Sequence, residues 1–420
     1  MSQGTPPTDP TEAPSPLRRP EFRKLLAISI TVALGFGMVI PVFPLYAKSF
    51  GVSLAAVGLV QVVFGGTRFS FGLVGGLVVD RFGERACTIA GLLIVSLSSY
   101  AAGFATSFTQ FVLARGFGGA GSALFIAGLM NRILRIIEPA AMGRATGAFR
   151  SSFLVGSGIG PALGGVVAKH FGLAAPFHFY ATGLIGAAVI AYVVMGGETV
   201  VRAAEKKRPI DALRAARPLF KDPRYLAALL ATFIGWWTIS GPAQVMGALF
   251  AEARLGFSPA KIGFAVTLLS IGEILILLVA GKASDRYGRR AVLVPSLLVT
   301  AVATALLGQI EGTPNLYFPL MILIGCGIAA GGTAAGGLMA DALPAGGSGA
   351  AVGVNQMAGD LGYLIAPVAT LTLAQESSFG VAYIFGAIPA ALVLVYALRL
   401  PRGGPTKIHE DVEQPVEPVG

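Results

Sequence analysis

A chain of 420 residues with 54% hydrophobic residues, 12% charged residues and a mean hydropathy of +0.74 carries too few charges to cover a water-soluble globule of its size. That excludes a soluble domain and makes lipid the solvent for most of its surface. The net charge of +10 would suit a nucleic-acid partner, but its placement along the chain accounts for it otherwise.

Residues 1–24 are polar and Pro-rich, without the apolar region a cleaved leader needs, and are expected to be disordered. Crossing the hydrocarbon core takes about 20 mostly apolar residues. Twelve such stretches follow, at 25–46, 54–76, 87–105, 108–131, 145–168, 174–195, 225–248, 259–280, 291–308, 317–340, 350–373 and 380–399. The expected fold is all-α and membrane-integral, with twelve transmembrane helices in two pseudo-symmetric six-helix bundles, 25–196 and 225–400. The polar interval 197–224 reads as an interdomain linker with room for a short amphipathic surface helix, and 401–420 as a disordered tail. With the N-terminus in the cytoplasm, 24 of the 31 Lys and Arg fall on the cytoplasmic side, four (Lys48, Lys169, Arg254, Lys261) on the other, and three (Arg68, Arg115, Arg150) inside helices. That is the positive-inside distribution, and it places both termini in the cytoplasm of a cell whose inner membrane the chain spans. The basic excess reports topology and implies no nucleic acid. Cys87 and Cys326 are far apart and lie in or beside apolar spans, which reads as packing or lipid-side thiols.

The two halves repeat one pattern. Phe50-Gly51-Val52-Ser53 with Val57-Gly58 aligns with Leu255-Gly256-Phe257-Ser258 with Ile262-Gly263, and Asp80-Arg81-Phe82-Gly83 with Asp285-Arg286-Tyr287-Gly288, both at a separation of 205 residues. Gly119 and Gly121 match Gly325 and Gly327, and Gly147, Gly156 and Pro161 match Gly353, Gly362 and Pro367, at 206. One inserted residue explains the change. Parallel six-helix repeats around a midplane cavity are a recurring transporter plan.

After the second and eighth spans stand Gly76-Leu77-Val78-Val79-Asp80-Arg81-Phe82-Gly83-Glu84-Arg85 and Gly281-Lys282-Ala283-Ser284-Asp285-Arg286-Tyr287-Gly288-Arg289-Arg290. This duplicated loop resembles the signature of the major facilitator superfamily. The resemblance implies that Asp80, and less directly Asp285, locks the outward-open state across the halves, with Arg81, Arg85 and Arg286 in the same basic turns. In the fifth span, Gly147, Gly156, Gly160-Pro161 and Gly164-Gly165 are similar to the pattern marking proton-coupled antiporters of that superfamily. Leu34-Gly35 with Pro41-Val42-Phe43-Pro44 is similar to the first-helix motif of its twelve-span drug/proton antiporter group. Arg115 with Gly119-Ala120-Gly121 is similar to a fourth-helix motif whose Arg is implicated in proton transfer. The resemblance covers residues of about 25 to 400. One departure matters: many multidrug members carry an acid in the first helix, and residues 25–46 contain none, which weakens an expectation of cationic drugs.

Charges at bilayer depth are costly and functional or paired. Here they are Arg68, Arg115, Arg150, Glu273 and Asp360, with Asp341 at the end of the tenth span. Arg68 lies roughly 18 Å above Asp80 and Asp360 roughly 16 Å into its helix at 1.5 Å per residue, so the depths match and an Arg68–Asp360 pair that forms or breaks during alternating access is expected. Glu273 stands 205 residues after Arg68, with Thr267 and Ser270 on the same helical face. It is the leading proton carrier, Asp360 and Arg115 the other proton-coupling candidates, and Arg150 a possible partner of Glu273. The competing reading makes these static buried pairs that fix helix register. His178 near the outer surface reads as a packing residue or a titrating one. Phe149, Phe153, Trp236 and Trp237, with Asn131, Gln244, Asn355 and Gln356, and Phe64 beside them, are candidates for lining a cavity that takes an amphipathic ligand.

There is no phosphate-binding Gly-rich loop with Lys and Ser/Thr, no Cys/His cluster and no nucleophile beside a base, so neither an enzyme nor a metal or cofactor is expected. The expected function is export of small amphipathic compounds, drug-like molecules or metabolites, in exchange for protons, by a monomer. Two alternatives stay open: a proton-coupled or facilitative transporter of an endogenous metabolite or lipid, and a ligand sensor on the same fold that moves nothing.

Overall fold

The computed structural model describes residues 15–138, 141–196, 217–343 and 349–401. The disorder expected before residue 15 and after 401, and the surface helix expected within 197–216, fall outside the described residues. A 3-10 turn, Pro16–Arg18, leads into α1 (Pro20–Val39). Then come α2 (Leu54–Phe82), α3 (Glu84–Gly103), α4 (Phe108–Ile136), α5 (Met142–Phe171), α6 (Ala175–Val194), α7 (Pro223–Ala253), α8 (Pro259–Tyr287), α9 (Arg289–Leu307), α10 (Tyr317–Ala342), α11 (Gly349–Glu376) and α12 (Phe379–Ala397). All twelve are long and apolar enough to cross a membrane, and no strand occurs among the described residues. The protein is a multi-pass membrane protein. Its two described chain ends lie on one face, called the terminal face below; the opposite one is the far face.

Proline and glycine set the irregularities. Pro41 interrupts the first crossing, which resumes as the short helix Phe43–Ser49, and Pro242 sits inside a π-helical segment of α7, Ile239–Val245. In each, the missing N–H leaves the backbone ladder to be re-formed with a different pitch. Gly83 and Gly288 turn α2 into α3 and α8 into α9 at φ of 83° and 89°, and Gly51 and Gly256 sit at 77° and 64°. A side chain would be strained there. These pairs are the repeat positions. Three of the helices starting at the far face are capped by Ser: the hydroxyls of Ser53, Ser107 and Ser378 accept from the N–H of Ala56, Gln110 and Val381. At the other face Asp222 caps α7, and its hydrogen bonds with Arg224 hold the carboxyl below its ordinary range.

Within each half, small residues bring helices together. Gly119 of α4 lies against Phe64 O, Thr67 and the backbone N of Arg68 on α2, and Gly325 of α10 lies against Leu269 O and the backbone N of Glu273 on α8. The two crossings are therefore equivalent, and Arg68 and Glu273 leave the backbone at equivalent points. A similar exchange of charge recurs at the terminal face. Glu84 pairs with Arg132 (2.8 Å) and Arg135, while Arg289, 205 residues on, pairs with Asp341 (3.3 Å) and Asp285. The same inter-helix tie is built twice with opposite signs.

Arg132 also donates to Glu21 at 2.6 Å through Nε, so one guanidinium, only 11% exposed, joins α1, α3 and α4. Replacing it by Met leaves two carboxylates facing each other without it. The Arg132→Met protein is expected to lose about 1–3 kcal/mol, read as a lower unfolding temperature in detergent and a smaller difference at high salt.

Candidate functional site

The site is the seam between the halves. It is made by two helix pairs, α2 with α11 and α5 with α8. At the far face both are closed by glycine on backbone: Gly58 of α2 meets Pro367 and Val368, and Gly263 of α8 meets Pro161 and Gly165. These contacts are equivalent under the repeat. Gln375 accepts from Ala55 N across the first pair. In the second, the Thr267 hydroxyl accepts from Ala162 N (3.1 Å) and donates to Gly158 O (2.8 Å), wedging into the α5 ladder beside Pro161. The helix Phe43–Ser49 touches Met246–Ala253. One apolar core runs through the first half and, at the far face, into the second; the inner layer of the second half, around Ala231, Ala280 and Leu297, is a separate cluster.

Toward the terminal face the halves part. A methyl added at Gly66 or Gly72 of α2, Gly147 of α5, Gly281 of α8 or Gly353 of α11 would meet nothing within 4 Å. The protein is thus caught closed at the far face and open at the terminal one.

The α5 glycines divide by face. Gly156, Gly160 and Gly164 lie on the backbone of α1, at Ile30, Leu34, Gly37 and Met38, while Gly158 and Gly165 face α8. The spacing of four places the first three in one row on the helix. Gly147 belongs to the same motif and touches nothing in this state.

Glu273 continues the α8 row one turn past Ser270, roughly 4.5 Å toward the terminal face, where the seal ends. It is half-buried, and among the described residues no cation pairs with it; Arg150 is exposed and apart. Arg68 and Asp360 form no ion pair either. Asp360 instead accepts from Gln356 Nε2 at 3.2 Å. The expected Arg68–Asp360 pair is therefore not made in this conformation. Arg115 is 3% exposed, its guanidinium 4.5 Å over the Phe64 ring, and its Nε and Nη1 are buried without a hydrogen-bond partner among the described residues. Tyr180 of α6 and Tyr363 of α11 stand within electrostatic reach of both Arg115 and Arg68.

Of the expected lining residues, Trp236 is 41% and Phe153 36% exposed, and Trp236 meets Tyr363 edge-on at 5.8 Å. Trp237 is a correction: it is 5% exposed and its indole N–H is spent on Gly386 O of α12 at 2.9 Å. Phe149 likewise packs against the core, and Asn131 stands beside Arg132 at the terminal end of α4. Asn355 accepts from Thr232 at 2.9 Å, Gln356 is exposed and Gln244 is half-buried in the π segment. Trp236→Ala is expected to weaken binding of an apolar ligand severalfold at unchanged fold. Trp237→Phe should instead cost about 1 kcal/mol of stability and leave that affinity alone; parallel ligand titrations and melting curves separate them.

In the loop motifs, Arg81 lies over Phe82 and Arg286 over Tyr287, each at 5.4 Å. Arg85 reaches Tyr192 of α6, donating to its O at 2.9 Å. Asp80 is half-buried at the end of α2, and Asp285 is exposed on Arg289. The tie through Arg132 was not anticipated, because only charges inside apolar windows were weighed; Glu84 directly after Gly83 was the available signal. Tyr180 and Tyr363 carried no signal at all.

A model described as the Major Facilitator Superfamily matches residues 25–253 and 243–419. The chain belongs to the major facilitator superfamily. This facilitator is similar to Multidrug resistance protein 2 of Bacillus subtilis, 27% identical over 288 residues, covering 67% of this chain and 71% of that one. It is 22% identical over 302 residues to the Quinolone resistance protein NorA of Staphylococcus aureus, covering 70% and 73%. In fold it matches a bacterial homologue of the human lysosomal transporter Spinster, crystallised inward-facing and occupied, with a TM-score of 0.75 at 15% identity over 92% of this chain and 97% of that one. The facilitator is a transporter of small molecules in a membrane, and not an enzyme.

Proposed function

We propose that this facilitator exports small amphipathic compounds in exchange for protons, as a monomer in the cell membrane with the terminal face in the cytoplasm. The observation that carries the reading is Glu273: a carboxyl with no cationic partner among the described residues, at the inner edge of a seal that must open for the cavity to face outward. A group that gains and loses a proton there couples the proton to the seal. Substrate enters the cavity from the cytoplasm beside Trp236 and Phe153. The seal at Gly58 and Gly263 then opens, outside protons reach Glu273, and the neutralised carboxyl returns with the closing halves. Asp360 and Arg115 serve as secondary proton-coupling groups, and Asp80 with its repeat partner Asp285 acts on the cytoplasmic closure. Support for the substrate class comes from the names of the relatives and from the apolar and aromatic cavity wall.

The test is protein reconstituted in liposomes, with proton release followed as a panel of amphipathic cations, neutral compounds and anions is added. Release with one charge class is expected. Substrate flux without proton movement would sink the exchange mechanism, and binding without flux would sink transport.

A further inference from the structure

One buried charge behind the cavity wall has no carboxylate on it among the described residues. Arg115 lies behind the wall of the first half, 3% exposed, with two guanidinium nitrogens that have no hydrogen-bond partner among the described residues. Arg68 is exposed one helix over, where Gly119, a turn beyond Arg115, touches its backbone N. Both stand within electrostatic reach of Tyr180 in the same half and of Tyr363 across the seam. The acid in reach of this group, Asp360, lies one turn toward the terminal face from Tyr363, forms no ion pair with either arginine and is hydrogen-bonded to Gln356. A buried guanidinium without a paired carboxylate, beside a second, exposed one, is costly as it stands, and a ligand carboxylate would offset that cost. The planar guanidinium matches the two oxygens of a carboxylate, and the exposed Trp236 beside Tyr363 offers an apolar wall next to it.

We infer that the substrate of this transporter is an amphipathic acid whose carboxylate sits at the exposed Arg68, backed by the charge of the buried Arg115, with its apolar body against Trp236 and Tyr363. This rests on the export reading above and deepens it, and it agrees with the absence of any acid from residues 25–46.

The test uses two probes that differ at one group, 11-(dansylamino)undecanoic acid and its primary amide, titrated by fluorescence into the full-length protein in detergent. The acid is expected to bind at least about tenfold tighter than the amide. Arg68→Gln, which alters an exposed side chain and should melt as wild type does, is expected to erase that difference while leaving the amide unchanged; Arg115→Lys should reduce it in part. Equal binding of acid and amide, binding of neither, or an equal loss of both in Arg68→Gln overturns the inference. A protein that binds the acid selectively but does not move it in liposomes overturns export and leaves this site standing. Export of the amide as fast as the acid does the reverse.

Discussion

Glu273→Gln is expected to abolish substrate-driven proton movement, by roughly a hundredfold or more, while the same protein still binds its substrate. Glutamine is close in size and shape to a protonated glutamate but permanently neutral. The variant therefore holds the end of α8 in one charge state, and the step that requires the other state has no proton to use. Substrate affinity should survive because the apolar contacts offered by Trp236 and Phe153 do not depend on this charge. Proton release and radiolabelled exchange across liposomes measure the two effects separately. Exchange of unlabelled for labelled substrate is expected to persist in Glu273→Gln, since that half-cycle needs no proton. Proton release at the wild-type rate would remove Glu273 from the mechanism and move attention to Asp360, where Asp360→Asn is the parallel experiment.

Gly263→Val should shift the protein out of the conformation seen here. The added carbons would fall on the Pro161 carbonyl and on Gly165, which are backbone and cannot turn aside as a flexible side chain can. Overpacking of this kind costs about 1–3 kcal/mol, a factor of roughly 5 to 150 in the balance between states. Because Gly58 makes the equivalent contact on Pro367 and Val368, Gly58→Val is expected to act alike. Access reports the shift. In a background with Cys87 and Cys326 changed to Ser, Ser270→Cys lies inside the seal opposite Gly158 and should react slowly with an impermeant maleimide applied at the far face. Adding Gly263→Val should speed that labelling about tenfold or more. Gly147→Val has the opposite logic: Gly147 touches nothing now, so the state seen here is kept and only closure at the terminal face is hindered. Unchanged labelling in the Gly263 and Gly58 variants would show that the far-face seal is not the moving part.

The architecture was readable because the bilayer is an uncompromising solvent. Each crossing must satisfy its backbone internally and present about 20 apolar residues, so twelve crossings stand out by composition even where single helix ends shifted, as α1 did by beginning at Pro20. The repeat was readable because its carriers are glycines with backbone duties. Gly119 and Gly325 let two helices cross, and Gly83 and Gly288 take a φ that side chains avoid. The row Gly156, Gly160, Gly164 declared a close approach, but not that its neighbour is α1.

Much of the site was not readable, for one reason: a helix that is apolar all round does not say which way it faces. Trp236 and Trp237 are adjacent letters, yet about 100° apart on the helix, one at the cavity and one bonded to Gly386. Arg68 and Asp360 agree in depth, but depth along an axis says nothing about the gap between two bundles. By itself the sequence determined the membrane class, the number of crossings, the duplicated plan and the identity of the charges at bilayer depth, since all of these follow from local hydropathy and spacing. Only the tertiary structure decided which face is sealed, that Glu273 and Arg68 occupy equivalent places unpaired among the described residues, and that Arg115 is buried without a carboxylate from any of them, because these depend on how two halves lean on each other across a seam no local pattern encodes.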